Sequence, residues 1–281
     1  MIWSIGPRPL VMGIVNVTPD SFSDGGRFAV TDAAVEHGLR LAAEGADLLD
    51  IGGESSRPGS KPVSLDEELA RVVPVVRGLA ARIGVPLSVD TTKAAVARQA
   101  LDAGAGIVND ITAGLGDPAM TAVVRDAGAG VVLMHMQGTP ETMQQNPTYA
   151  DVVREVRDFL AERVRAWVAA GVPAGRIAID PGVGFGKTSA HNLELLRHLD
   201  ALAPIGRPVV LGVSRKGFLG RLIDRPVTER LAASLAAACY CVSRGTAHVL
   251  RVHDVAATVD AAKVLGALVT PSSPDSSRSS P

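Results

Sequence analysis

Along most of the chain, short runs of β-branched and aliphatic residues alternate with longer segments rich in Ala, Leu, Val, Arg and Glu. The runs are VMGIVNV (11–17), LLDIGG (48–53), PLSVDT (86–91), IVNDI (107–111), VVLMH (131–135), IAIDPG (177–182), VVLGVS (209–214) and HVLRVHD (248–254). They are mostly apolar on both parities, whereas a strand with one solvated face alternates, so they predict strands buried on both sides. The segments between them are long enough for the crossover helices that parallel neighbours require. Eight such units predict an α/β fold, a single (β/α)8 TIM barrel over residues 1–270; a doubly wound open sheet would show the same local alternation. The helices are readable as well. Val152, Val153, Val156, Phe159, Leu160, Val164 and Trp167 recur at helical spacing within 149–170, and Gly171 and Pro173 stop that segment.

Composition narrows the class further. Hydrophobic residues at 47% and charged residues at 20% describe a chain with a large core. With 28 Lys plus Arg against 29 Asp plus Glu, no global field favours nucleic acid or an acidic membrane surface, so any anion must be held by a local cluster. Cys239 and Cys241 stand two apart in a helical segment; their side chains diverge, which argues against a disulfide or metal clip and for a reducing compartment. No secretory signal opens the chain, and no apolar run is long enough to span a bilayer. The expectation is a cytoplasmic protein. After Thr270 the residues PSSPDSSRSSP (271–281) carry no apolar side chain and read as a disordered tail outside the fold.

Nearly every predicted strand ends in a polar group: Asn16, Glu54 to Arg57 beyond the second run, Asp90, Asn109 and Asp110, His135, Asp180, Ser214 to Lys216, then Arg251, His253 and Asp254. Any one of these could be turn or cap chemistry, but a barrel brings all of them to one rim, where active sites are assembled. Arg57, the Arg251/His253 pair on one strand face, Ser56 and the Gly52-Gly53 turn could surround a phosphate-like anion. Alternatively Arg251 pairs with Asp254 or another rim carboxylate. The amide of Asn16 suits a hard cation such as Mg²⁺ that shares phosphate oxygens. Asp90, Asn109 and Asp180 offer acceptors near the barrel axis, and Lys216 is the obvious cation for them. A flat heterocycle with a guanidine-like edge would satisfy such a carboxylate, and a purely structural Asp180–Lys216 pair is the other reading. Gly182, Gly184 and Gly186 have the wrong spacing for a dinucleotide fingerprint. His135 reads as a satisfied rim residue without a role of its own.

The strings MGIVNVTPDSFSDGGRF (12–28), DIGGESSRPG (50–59), SVDT (88–91), VNDI (108–111), LMHMQGTPETMQQNPTYADV (133–152), DPGVGFGK (180–187), GVSRKGFLG (212–220) and RVHDV (251–255) resemble the dihydropteroate synthase family, in the family's own order. The resemblance implies a transferase of folate biosynthesis that joins a dihydropterin diphosphate to p-aminobenzoate and releases pyrophosphate. It places Asp90, Asn109, Asp180 and Lys216 on the pterin, with Ser56, Arg57, Arg251 and His253 on the diphosphate and Asn16 on Mg²⁺. Pro19, Phe22, Phe185 and Ser214 fall on the surroundings of p-aminobenzoate, which sulfonamides mimic. On this resemblance Asp180, Lys216, Arg57, Arg251 and His253 are the expected catalytic set, and departure of the diphosphate precedes capture by the arylamine. Ser56 stands where the family commonly has Thr, which keeps the hydroxyl. Many members carry a longer N-terminal extension over the barrel bottom. A homodimer through the Ala-rich helix near 230–243 is also implied. The competing expectations are a pterin-dependent methyltransferase domain, which has little use for a diphosphate cluster, and a non-catalytic pterin-binding paralogue. The loops 18–29 and 54–63, rich in Gly, Ser, Asp and Pro with few apolar anchors, are expected to be mobile until an anion orders them.

Overall fold

A computed structural model of the chain describes Trp3, residues 5–18 and residues 27–269. Pro19, Phe22 and the 271–281 tail therefore lie outside the described residues. Eight strands appear: β1 (Leu10–Asn16), β2 (Leu48–Gly52), β3 (Leu87–Asp90), β4 (Ile107–Asp110), β5 (Gly130–Met134), β6 (Ile177–Asp180), β7 (Val210–Leu211) and β8 (Val249–Val252). All pair in parallel, in the order β6-β5-β4-β3-β2-β1-β8-β7. A parallel bridge from Ile179 to Val209, with the Ile179 N–H donating to Pro208 O at 2.9 Å, joins the two ends. The sheet is thus a closed barrel, and the open doubly wound alternative falls away.

The helices are α1 (Arg27–Ala43), α2 (Leu65–Ala80), α3 (Ala94–Asp102), α4 (Met120–Ala127), α5 (Val152–Ala169), α6 (Ser189–Arg197), α7 (Gly217–Ile223), α8 (Leu231–Ser243) and α9 (Val255–Val269). Their starts are written locally. Ser64 accepts from the Glu67 N–H, Asp151 from the Arg154 N–H, and Thr188 forms a reciprocal capping box with His191. One strand-to-strand connection departs from simple alternation, because β7 is followed by both α7 and α8. Cys239 and Cys241 lie on α8 as free thiols.

Strand parity explains why the runs read as uniformly apolar. One set of positions, including Val11, Val15, Leu49, Ile51, Val89, Val108, Val131, Leu133, Ile177 and Ile179, packs outward in the main core with the helices. The other set points inward and forms a separate bottom cluster: Met12, Leu48, Ile107, Val132, Ala178, Val210 and Val249. Side chains alternate with a period of two, so the next inward residues after Leu48, Ile107, Ala178 and Val249 are Asp50, Asn109, Asp180 and Arg251. The barrel is therefore apolar at its base and polar toward its C-terminal mouth. At the base, Trp3 is only 5% exposed and belongs to this inner cluster, its Nε1–H donating to Arg176 O at 3.0 Å. In this chain that indole closes the barrel bottom.

Candidate active site

The inward polar layer is held together by one cation. Arg251 donates from Nε to Asp50 Oδ2 at 2.6 Å and from Nη2 to Asp90 Oδ2 at 2.7 Å, while Asn109 Nδ2 donates to the same Asp50 oxygen at 3.0 Å. The sequence reading chose Lys216 as the counter-ion, and the structure corrects this. Among the described residues Lys216 makes no ion pair within 4 Å; its Nζ lies 4.1 Å from the centre of the Phe185 ring, a cation–π contact. Arg251 takes the carboxylates because its strand faces β1 and its planar fork reaches across the axis to two acceptors. Asp254, the first partner considered for Arg251, is claimed by a forked pair with Arg215 instead.

Asp180 accepts from the Gly182 N–H at 2.7 Å and is 5% exposed, whereas Lys216 is half-buried. Asn109 is 4% exposed. Asp110 follows it but points outward, where its carboxylate accepts from the Thr112 and Gly114 N–H groups and the Thr112 hydroxyl. It is a turn residue and not part of the mouth. His253 meets Ser214 twice, through its backbone N–H at 3.2 Å and through Nδ1 at 3.1 Å. The Ser214 hydroxyl is thereby tied to the Arg251/His253 side of the mouth. Phe185 is buried among Ile111, Met134 and Met143. Asn16 ends β1 half-buried, Ser56 is half-buried and Arg57 is exposed beyond β2. The structure thus brings Asp90, Asn109, Asp180, Lys216, Phe185, Arg251, His253 and Ser214 together; Ser56 and Arg57 sit on the loop above them.

Electrostatics follow from this crowding. Burial pushes Asp90 up to about 7, with Arg251 opposing and Asp50, Glu68 and Asp110 adding to the rise. Burial likewise raises Asp180, against its bond from Gly182 and the charges of Lys216, Arg251 and Lys187. Lys216 is pushed down to about 8 by burial and by Arg251, although Asp180 and Asp90 pull the other way. His253 falls to about 4 through burial and the nearby Arg251 and Arg215. Burial also works against the charge of Arg251, but Asp50 and Asp90 outweigh it and hold its pKa above the ordinary value. Three carboxylates (Asp50, Asp90 and Asp180), one guanidinium and a weakly basic ammonium in one mouth can bind a polar planar ring and an anion side by side.

Reading strand ends missed Asp50, which is fully buried with its second oxygen lacking a partner. A signal was available, since Asp50 is the one charged residue inside the LLDIG strand. It also missed the anchor of the 54–63 loop. Lys93 bridges Glu54 at 2.6 Å and the buried Glu68 at 2.5 Å, and Glu54 also accepts from the Val63 N–H. That loop lacks apolar anchors, and polar ones take their place at both of its ends. His135, read as having no role, is buried with Nδ1 2.9 Å from the ammonium of Lys187.

A barrel with this inward carboxylate, amide and guanidinium layer is a binding site for a flat, donor-rich heterocycle at the usual catalytic end of the fold. The profile of the family described as pterin binding enzyme matches residues 12–253. Dihydropteroate synthase of Mycobacterium leprae is 50% identical over 264 residues, covering 92% of this chain and 92% of that protein. Among solved structures, Xanthomonas albilineans dihydropteroate synthase with 4-aminobenzoic acid is 54% identical with a TM-score of 0.87, covering 93% of both chains. The same organism's enzyme in complex with 7,8-dihydropteroate is 52% identical with a TM-score of 0.83, covering 93% of this chain and 94% of that one. The chain belongs to the dihydropteroate synthase family, which are transferases.

Proposed function

We propose that the mouth joins 6-hydroxymethyl-7,8-dihydropterin diphosphate to p-aminobenzoate, giving 7,8-dihydropteroate and pyrophosphate, with the roles set out below. The observation that carries the assignment is the single layer formed by Asp90, Asn109, Asp180 and Arg251, with Lys216 over Phe185 at its edge. Asp180 accepts the forked N–H edge of the pterin, and Asn109 and Lys216 hold its remaining polar atoms. Asp90 meets the ring by exchanging its bond to Arg251. The guanidinium keeps Asp50 and turns its freed N–H groups to the diphosphate, where Ser56, Arg57 and His253 complete the cluster. Charge-assisted bonds of this kind strengthen as the leaving pyrophosphate gains charge. The carbon–oxygen bond breaks first, the pterin ring spreads the resulting positive charge, and the arylamine captures the carbon. The amine is neutral near pH 7 and attacks through its lone pair; the arylammonium so formed is acidic and gives its proton to water or the departing pyrophosphate, so no dedicated general base is required. Phe185 walls the second substrate, joined in this reading by Pro19 and Phe22.

Asn16 would hold Mg²⁺. Among the described residues no group of three His, Cys, Asp or Glu side chains could cage a metal, which fits an ion carried mainly on diphosphate oxygens with a single amide ligand. When bound, it supplies Lewis-acid charge to the leaving group. The exposed apolar residues Leu222, Ile223, Val227, Leu231, Tyr240, Val264 and Leu268, on α7 to α9 and the turn between α7 and α8, support a homodimer through that side. Two free thiols support a reducing compartment, the cytoplasm in this reading.

The deciding experiment measures pyrophosphate release by the purified protein with each substrate alone and with both. Release only with both is expected, and release with neither combination would overturn the assignment. Calorimetric titration of p-aminobenzoate or a sulfonamide tests the order of binding. Affinity should appear only with pyrophosphate and Mg²⁺ present, and equal affinity without them would refute ordered binding.

A further inference from the structure

Lys187 is one of the most thoroughly buried side chains of the chain, 1% exposed. An ammonium in such a place needs strong partners, and no carboxylate lies within ion-pairing distance of it among the described residues. Its Nζ instead donates to Gly182 O at 3.0 Å and Phe185 O at 3.0 Å, and lies 2.9 Å from His135 Nδ1. The two carbonyls belong to the β6–α6 turn, whose backbone takes left-handed φ values of 65°, 85° and 60° at Gly182, Gly184 and Gly186. At Gly182 a Cβ would come 1.8 Å from His135 O, so the turn is pressed directly onto the end of β5. Two further carbonyls are tied as well, Gly184 O by Gln144 and Gly186 O by Tyr149. One end of this turn holds Asp180 through the Gly182 N–H, and the other presents the Phe185 ring to Lys216.

We infer that Lys187, with His135 behind it, is a positioning residue for the transfer reaction. Its ammonium pins the Gly182–Phe185 turn from beneath and so fixes the aromatic wall against which the second substrate is held. The imidazole is suited to this part. Burial and the neighbouring Lys187 lower His135 to about 3, so it stays neutral and can accept from the ammonium. Lys187 itself is lowered to about 7 by burial, with Asp180 opposing and Lys216 assisting. The groups facing it are thus His135, Asp180 and Lys216, and neither ordinary surface exchange nor a surface ion pair accounts for its burial. Lys187 makes no hydrogen bond to the pterin or diphosphate residues; its charge and its hold on Gly182 also bear on Asp180, but the larger part of its effect passes through Phe185, whose carbonyl it binds directly.

This inference rests on the activity proposed above, and the test separates the two, because failure of wild-type protein to release pyrophosphate counts against that activity alone. With active wild type, Lys187→Met is compared with Phe185→Ala and the double variant by steady-state kinetics, and pterin affinity is measured by calorimetry. The expected result is a rise in KM for p-aminobenzoate on the order of tenfold or more, as for a misplaced positioning group. Pterin affinity should change by less than about threefold, and in the Phe185→Ala background Lys187→Met should add less than about twofold to KM, the signature of residues acting as one unit. Equal losses for both ligands, or additive losses in the cycle, would overturn the proposal. If Lys187→Met does not fold, Lys187→Gln, whose shorter side chain does not reach both carbonyls, carries the same cycle: a KM rise confined to p-aminobenzoate supports the proposal, and equal losses for both ligands or additive losses overturn it.

Discussion

Replacing Arg251 with Ala removes the cation shared by Asp50 and Asp90, and the structure allows the result to be followed with pH. Two charge-assisted bonds disappear, at 2.6 Å and 2.7 Å. Asp50 is fully buried and keeps only the Asn109 amide; breaking a buried pair on one side costs about 3–5 kcal/mol. Asp90 behaves differently because burial already lifts it to about 7 with Arg251 in place. A carboxyl whose folded pKa exceeds its unfolded value loses stabilisation as pH rises toward the folded pKa and is level beyond it. In the wild type that loss is finished near pH 7. Without Arg251 the folded pKa of Asp90 rises further, so the variant goes on losing stability above pH 7, by at most about 1.4 kcal/mol per unit. Lys216 limits the effect, since Arg251 is one of the groups that depress it to about 8 and its charge recovers beside Asp90 when Arg251 is gone. The expected destabilisation is about 3 kcal/mol at pH 6 and roughly 4–6 kcal/mol at pH 8.5. At roughly 2–4 °C per kcal/mol for a chain of this size, the Tm gap should be about 6–12 °C at pH 6 and wider at pH 8.5. Circular dichroism melts of both proteins across that range measure the gap. A gap that stays constant or narrows as pH rises would refute the coupling between Arg251 and Asp90.

Lys216→Ala and Asp180→Asn should each abolish pyrophosphate release while far-UV circular dichroism stays native, because Lys216 is half-buried without an ion pair among the described residues and Asn is isosteric with Asp180 and keeps an acceptor for the Gly182 N–H; wild-type turnover in either variant would contradict their assignment. Trp3→Ala should lower stability by about 3–5 kcal/mol through the cavity it leaves at the barrel base, yet leave kcat unchanged because the mouth is at the other end; a thermal melt together with a turnover assay checks both halves. His135 and His253 are held neutral in the fold, down to about 3 and about 4, against an ordinary value of 6.5. Each therefore contributes a loss of stability as pH falls below 6.5, and NMR of the ring protons should show neither titrating near 6.5.

Much of the barrel was legible from patterning. Short β-branched runs apolar on both parities, spaced by helix-length segments, point to strands covered on both faces, and their polar ends mark the mouth, so Asp90, Asn109, Asp180 and Arg251 could be placed on one rim before any coordinates. The sequence put Asn109 and Asp110 together at the rim, and only the register across strands turns Asn109 inward and leaves Asp110 in a turn. What tertiary structure alone decided is who meets whom. Asp50 and Arg251 are 201 residues apart in the chain, and only closure of the barrel puts β8 beside β1 so that the guanidinium, not Lys216, reaches the carboxylates. Closure needs a second contact besides the β1–β8 ladder, the Ile179–Val209 bridge between β6 and the entry to β7, which local pattern does not distinguish from an open edge. Lys187 looked like the last letter of a glycine-rich string, and His135 like a satisfied rim residue. Their pairing arises because the turn after β6 folds back over the end of β5, a packing event that no spacing encodes. Trp3 likewise became the stopper of the barrel only once eight strands had left a hole of the right width beneath them. Periodicity is a property of one segment and its burial, so it survives in the sequence; partners across the barrel are set by register and closure, which belong to all of the strands at once.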